Sequence, residues 1–238
     1  MPEFTDPLFN RPATPQRPLL GQTILVVEDS RFACEALRLM CLRSGARIRM
    51  ADCLGSARRH LRVYRPSVTI VDIGLPDGSG TDLLRDLAAA SPRVEVILGT
   101  SGDTGAEAKA LAAGADGFLE KPLRSLVQFQ QAVLAHMPAD RRPAGPRLVE
   151  DEVIEPDHIA YQNDMAHIAE VLTADAESQT LDYIAQFTHG VARTAQDSEL
   201  QAAVEHLSAT RKAGQPVPSA LSQLAGLVQE RLTSRAAI

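Results

Sequence analysis

The sequence predicts an α/β fold, a doubly wound five-stranded parallel sheet, followed by a separate all-α helical bundle. Three observations predict it. Between Gln22 and His136 short apolar runs alternate with amphipathic stretches, and beyond Pro156 apolar residues recur only at helical spacing. The third is length: 238 residues suit two domains of ordinary size, each able to bury a core.

Residues 1–19 contain Pro2, Pro7, Pro12, Pro15 and Pro18 without periodicity and read as an extended, disordered leader. The domain expected over 20–137 opens with Ile24-Leu25-Val26-Val27, then a helix over 30–44, a strand over Ile48 to Ala51 and a helix over 54–64. Val68 to Ile73, a helix near 80–90, Val94 to Leu98, a helix near 104–113, Gly117-Phe118-Leu119 and a helix over 123–136 complete five βα units. Strands separated by helical stretches imply a parallel sheet covered on both faces, with function at the carboxyl ends of its strands.

Residues 138–156 are Pro-rich and acidic, with Arg141-Arg142-Pro143 and Glu150-Asp151-Glu152, and read as a linker. From 157 to 238 four apolar stripes follow helical spacing: Tyr161, Met165, Ile168, Leu172; Leu181, Ile184, Thr188, Val191; Leu200, Val204, Leu207; and Leu221, Leu224, Val228, Leu232. Gly214, Pro216 and Pro218 mark a helix–helix turn before the last.

No apolar run approaches the roughly 18 residues of a membrane span. The start, Met1-Pro2-Glu3-Phe4, has neither a basic nor an apolar export region, so a cytoplasmic protein without membrane contact is expected. Cys34, Cys41 and Cys53 are odd in number and lack metal-ligand spacing, which fits reduced thiols.

The chemistry concentrates at strand ends. Glu28 and Asp29 close the first strand and Asp72 lies near the end of the third, its neighbour in a sheet of this kind. Two carboxylates about 4 Å apart repel by about 4 kcal/mol at an effective dielectric of ~20, which a hard cation with oxygen ligands relieves; Mg²⁺ is the expected cofactor. Lys121 closes the fifth strand and Thr100 the fourth. A carboxylate nucleophile, a metal, a positive clamp and a hydroxyl make up the set used in phosphoryl transfer to a carboxylate.

In order and spacing, Glu28-Asp29, Asp72, Thr100 and Lys121-Pro122 resemble the response-regulator receiver family over residues 22–137. Pro76 and Gly80 in the run from Val71 to Gly80, and the run Gly114 to Pro122, match as well. The resemblance implies strand order 2-1-3-4-5 and a two-component switch rather than a turnover enzyme. A sensor histidine kinase would phosphorylate Asp72, with Asp29, Asp72 and the Gly74 carbonyl on Mg²⁺ and Glu28 assisting through water. Thr100 and Lys121 would contact phosphoryl oxygens, Phe118 would be the aromatic switch residue, and the Lys121–Pro122 bond would be cis. The stretch from Thr100 to Lys121 is about one residue short for the family, which keeps Ser101 as a second hydroxyl candidate.

Residues 139–238 carry 15 acidic and 8 basic side chains, net −7, the wrong footprint for a nucleic-acid binder. Ala185-Gln186-Phe187-Thr188-His189-Gly190-Val191-Ala192 resembles, weakly, the helix of a histidine phosphotransfer bundle. Gln186 stands where that family has its phosphorylated histidine, and an amide cannot act as that nucleophile. His189 takes the usual lysine position, and Gly190, costly inside a helix by about 1 kcal/mol, suggests close approach of a neighbouring or partner backbone. The expected output is contact with a downstream signalling protein or a second copy of the chain. An active phosphorelay bundle and a nucleic-acid-binding output are the alternatives.

Overall fold

The computed structural model describes residues 13–144, 152–172 and 178–233. The leader through residue 12 and the linker over 145–151 lie outside the described residues. The chain divides into two compact units: Met1–Asp29 with Ala36–Glu155, and Ser30–Glu35 with Pro156–Ile238.

The first unit contains strands β1 (Thr23–Val27), β2 (Arg47–Ala51), β3 (Val68–Asp72), β6 (Val96–Ser101) and β7 (Gly117–Glu120) in one parallel sheet, ordered β2-β1-β3-β6-β7. Setting aside the small hairpin β4 (Gly74–Leu75) and β5 (Gly78–Ser79), this is the 2-1-3-4-5 order expected. Helices α1 (Arg31–Arg43), α2 (Leu54–Val63), α3 (Gly80–Ala89) and α4 (Ala106–Ala112) connect the strands, and α5 (Leu126–His136) follows the last of them.

Alternation along each strand sorts the core into two layers. Ile24, Val26, Ile70 and Leu98 pack with Leu37, Phe129 and Val133, whereas Leu25, Val27, Val71 and Ile97 pack with Leu54, Leu84 and Ala110. A strand covered on both faces reads as a continuous apolar run, which is why β1 and β3 were legible. On β2, Arg47 and Arg49 flank a half-exposed edge, where charged side chains discourage further strand pairing.

Three boundaries differ from the sequence reading. First, the leader does not extend to residue 19: Leu19 is fully buried in the core and its N–H donates to the Ser44 carbonyl at 2.9 Å. One apolar side chain next to Pro18 carries no periodicity of its own, so its burial shows only in the fold. Second, the end of the linker is part of the first unit. Ser125 and Val153 form an antiparallel bridge, Leu126 N donates to Glu152 O and Ile154 N to Arg124 O, and Ile154 is buried in the core. Third, β6 begins two residues later than the apolar run and continues through Thr100 and Ser101, because parallel pairing with β3 and β7 outweighs side-chain composition.

In the second unit α6 (His158–Val171), α7 (Ser178–Ala195), α8 (Ser198–Lys212) and α9 (Pro218–Thr233) form the expected helical bundle. Met165, Ile168, Ile184, Val191, Leu200, Val204, Leu207, Leu224 and Val228 fill its core. Gln196, in the left-handed region at φ 57°, breaks α7 from α8, and Gly214 at φ 66° ends α8 ahead of Pro218. Ser30–Glu35 cluster here because Asp164 of α6 accepts hydrogen bonds from Ser30 Oγ (2.7 Å), Arg31 N (2.8 Å) and Phe32 N (3.0 Å), while Phe32 meets Tyr161 edge-on. A remote carboxylate thus satisfies donors at the start of a helix.

Candidate functional site

Parallel register brings the chemical residues to one rim of the sheet. Glu28 and Asp29 follow β1, Asp72 ends β3, and Thr100 pairs directly with Asp72 across β3 and β6. Glu28, Asp29 and Asp72 each offer an oxygen, and the three lie within 4.8 Å of one another. Lys121, just past β7, places Nζ 2.6 Å from Glu28 Oε2 and 2.8 Å from Asp72 Oδ2. All three members of that cluster of ion pairs are buried, so solvent screens their attraction little.

Burial pushes the Glu28 carboxyl well above its ordinary range, reinforced by Asp72 and opposed by Lys121. At Lys121 burial disfavours the ammonium, but Asp72 and Glu28 outweigh it and hold its pKa above the usual lysine range. The Lys121 ammonium reaches two members of the acidic set, Glu28 and Asp72, and the oxygens of Glu28, Asp29 and Asp72 are of the kind that a divalent oxygen-binding ion prefers.

Other candidate residues surround this centre. Gly74 N lies 3.3 Å from Asp72 Oδ1, and Gly80 is packed against the Asp72 main chain so closely that a Cβ there would stand 1.9 Å from the Asp72 carbonyl oxygen. Thr100 is fully buried and its hydroxyl donates to the Leu119 carbonyl at 2.7 Å, turned to β7. Ser101 accepts from Asp103 N at 3.1 Å, a local turn contact. Phe118 is half-buried, and a Cβ on Gly99 would stand 2.6 Å from Ala110 Cβ and 3.2 Å from the Phe118 ring, so the missing side chain of Gly99 makes space for both. The Lys121–Pro122 peptide is cis. The shortened stretch after Thr100 is met by a tight turn to Gly105, at φ 80°, and a seven-residue α4.

Residues 24–133 match the response regulator receiver domain family. Residues 24–133 are a receiver domain. Two relatives agree. The KDP operon transcriptional regulatory protein KdpE of Escherichia coli is 33% identical over 99 residues, 42% of this chain and 44% of its own length. The transcriptional regulatory protein KdpE of Mycobacterium tuberculosis is 32% identical over 134 residues, 56% of this chain and 58% of its own. The chain therefore spans about half the length of the curated relatives it matches. Among solved structures, the signal receiver domain of a signal transduction histidine kinase from Syntrophus aciditrophicus is 25% identical, covering 54% of this chain and 99% of that one at a TM-score of 0.46.

The receiver domain contains one structural contributor that the sequence did not announce. Asp77, at the tip of the β4–β5 hairpin, accepts from Leu54 N (2.8 Å) and Gly55 N (2.9 Å) at the start of α2. Its signal was only the Leu75-Pro76-Asp77-Gly78 turn, which does not reveal a partner more than 20 residues upstream.

In the helical unit Gln186 is exposed on α7, and His189 Nε2 lies 3.5 Å from Glu205 Oε1. A Cβ built at Gly190 would meet nothing within 4 Å, so among the described residues no neighbouring backbone requires the glycine. The intramolecular form of the close-approach expectation is thus corrected: the α7 surface at Gly190 is open. No described helix is long and apolar enough to cross a membrane.

Proposed function

We propose that this chain is a two-component response regulator in which Asp72 accepts a phosphoryl group from a phosphohistidine of a sensor histidine kinase. The observation that carries the reading is the buried Lys121 ammonium, held between Asp72 and Glu28 at the rim where Asp29 converges. A carboxylate oxygen of Asp72 attacks phosphorus, the donor's N–P bond breaks, and its electron pair stays on the leaving imidazole nitrogen. Lys121 then exchanges Asp72 for a phosphoryl oxygen, and Thr100 reaches the group by releasing the Leu119 carbonyl. Phe118 follows, since its ring lies beside the strand that Thr100 occupies.

The oxygen donor set fits Mg²⁺: Asp29, Asp72 and the Gly74 carbonyl would hold it, with Glu28 acting through water. When bound, such an ion neutralises charge on the transferring phosphoryl oxygens. This domain is a switch and not a turnover enzyme.

For the helical unit, protein contact is the favoured output, with a downstream signalling protein or a second copy as partner. Gln186 cannot accept a phosphoryl group as histidine does, while the open surface at Gly190 suits a closely approaching partner. The relatives are named as transcriptional regulators, which keeps nucleic acid in contention. The net charge of −7 over residues 139–238 opposes it. Histidine kinase signalling of this kind would place the protein in the cytoplasm.

Incubation with a small phosphodonor tests the reading. Wild type should gain one acid-stable, base-labile phosphoryl group that EDTA prevents, and Asp72→Asn should gain none. Full acid-stable labelling of the variant, or indifference to EDTA, sinks it. Kinase-dependent, acid-labile label on the variant's helical unit would favour the relay.

A further inference from the structure

We propose that Asp77 is a positioning residue for the receiver site: its carboxylate clips the hairpin that carries Gly74 onto α2 and so presets the cation-binding arrangement. The inference rests on the reading that Asp29, Asp72 and the Gly74 carbonyl hold Mg²⁺.

The hairpin begins at the nucleophile and returns to it. Its base is fixed by main-chain contacts, with Ile73 N donating to Thr100 O (3.1 Å) and Gly80 N to Ile73 O (2.9 Å). Between these anchors Gly74–Leu75 pairs with Gly78–Ser79 in a ladder of only two residues a side, too short to be rigid alone. Asp77 supplies a second anchor at the tip. Both of its oxygens are used, one by Leu54 N and the other by Gly55 N, groups that no intrahelical acceptor can serve at the first turn of a helix. The dipole of α2 further favours a carboxylate there.

The neighbouring residues are fitted to this clip. Gly78, at φ 146°, leaves room for Leu54, whose Cδ1 would be 2.9 Å from a Cβ on Gly78. Gly55 sits directly against the clip: a Cβ there would be in van der Waals contact with Asp77 Oδ2 at 3.5 Å. Cys53 provides the contrast. Its Sγ accepts from Ser56 N at 3.4 Å, capping the same helix through a different donor.

Removing the clip lets the tip sample other arrangements, so the Mg²⁺-competent population falls and apparent affinity falls in proportion. The saturating rate of phosphorylation does not change, because bound Mg²⁺ re-forms the loop. Mg²⁺ titration of the unphosphorylated full-length protein, followed by the amide resonance of Gly74, reads this directly. Asp77→Ala should raise the Mg²⁺ dissociation constant roughly fivefold, corresponding to about one-fifth of molecules remaining competent. Asp77→Asn, which keeps one acceptor, should fall between that variant and wild type, and decides the matter if Asp77→Ala does not fold. Cys53→Ala should lower the melting temperature and leave Mg²⁺ affinity unchanged. If both Asp77 variants bind Mg²⁺ as wild type does and lose only thermal stability, Asp77 is a helix cap and the proposal is overturned. Absence of any Mg²⁺ response in wild type would instead overturn the metal reading beneath it.

Discussion

At the residue scale, the site sets the Lys121 ammonium between two buried carboxylates, Glu28 and Asp72. Lys121 is irreplaceable in kind: Lys121→Met would leave Glu28 and Asp72 buried without their ammonium, and such broken pairs are strongly unfavourable. What is missing is equally informative. Gly74, two residues beyond Asp72, and Gly102, two beyond Thr100, carry no side chain that could hold a water in line with the acyl phosphate. Hydrolysis loses that positioning, so the phosphorylated form should persist for many minutes, on the order of the slow limit for unassisted geometry. Decay of labelled wild type against Gly74→Asn checks this; a wild-type half-life of seconds would show that another group orients the water. Asp72, Glu28, Asp29 and Lys121 could be located from sequence because each closes an apolar strand, and strand ends share one rim. Asp77 could not, since its role depends on an α2 terminus that only tertiary folding brings near.

At the element scale, the turn between α7 and α8 is held by a polar knot. Asp197 accepts from Leu200 N, from Tyr161 Oη at 2.7 Å and from Arg231 Nε at 2.9 Å, and Arg231 also bonds Glu199. Burial would raise the Asp197 pKa, but Arg231 and Tyr161 prevail and hold it below the ordinary aspartate value. A carboxyl with a depressed folded pKa contributes stability above its unfolded pKa of about 4 and loses it as pH falls through the folded value. Bundle unfolding monitored between pH 6 and acid should therefore show destabilisation beginning near pH ~4, absent in Asp197→Asn. Arg231→Ala should cost about 2 kcal/mol at neutral pH by stranding that carboxylate. Helical periodicity revealed α6 to α9 but not this knot, because Tyr161, Asp197 and Arg231 lie on three different stretches of sequence. The β4–β5 hairpin was invisible for a related reason: two-residue strands have no periodicity to read.

At the scale of the whole molecule, composition separated an α/β half from a helical one, and both architectures followed from hydrophobic spacing. The exchange of short segments did not. Glu152 to Ile154 read as an acidic linker because Pro and charge dominate the surrounding window, yet Ile154 is buried against the first unit and Arg43 pairs with Glu152 at 2.9 Å. This segment docks beside Arg124 and Ser125, a few residues beyond Lys121. Ile154→Ala should destabilise the first unit by about 2–3 kcal/mol and speed amide exchange at Leu126, whose N–H bonds Glu152 O. Unchanged exchange at Leu126 would show that the segment contributes no restraint. The proposed switch turns on one carboxylate, Asp72. Its most direct test is borohydride trapping after phosphorylation with a small phosphodonor and Mg²⁺, which reduces an acyl phosphate to an alcohol, followed by peptide mapping. The account predicts one reduced position, residue 72, as homoserine; reduction elsewhere, or none in protein that is stably phosphorylated, would contradict it.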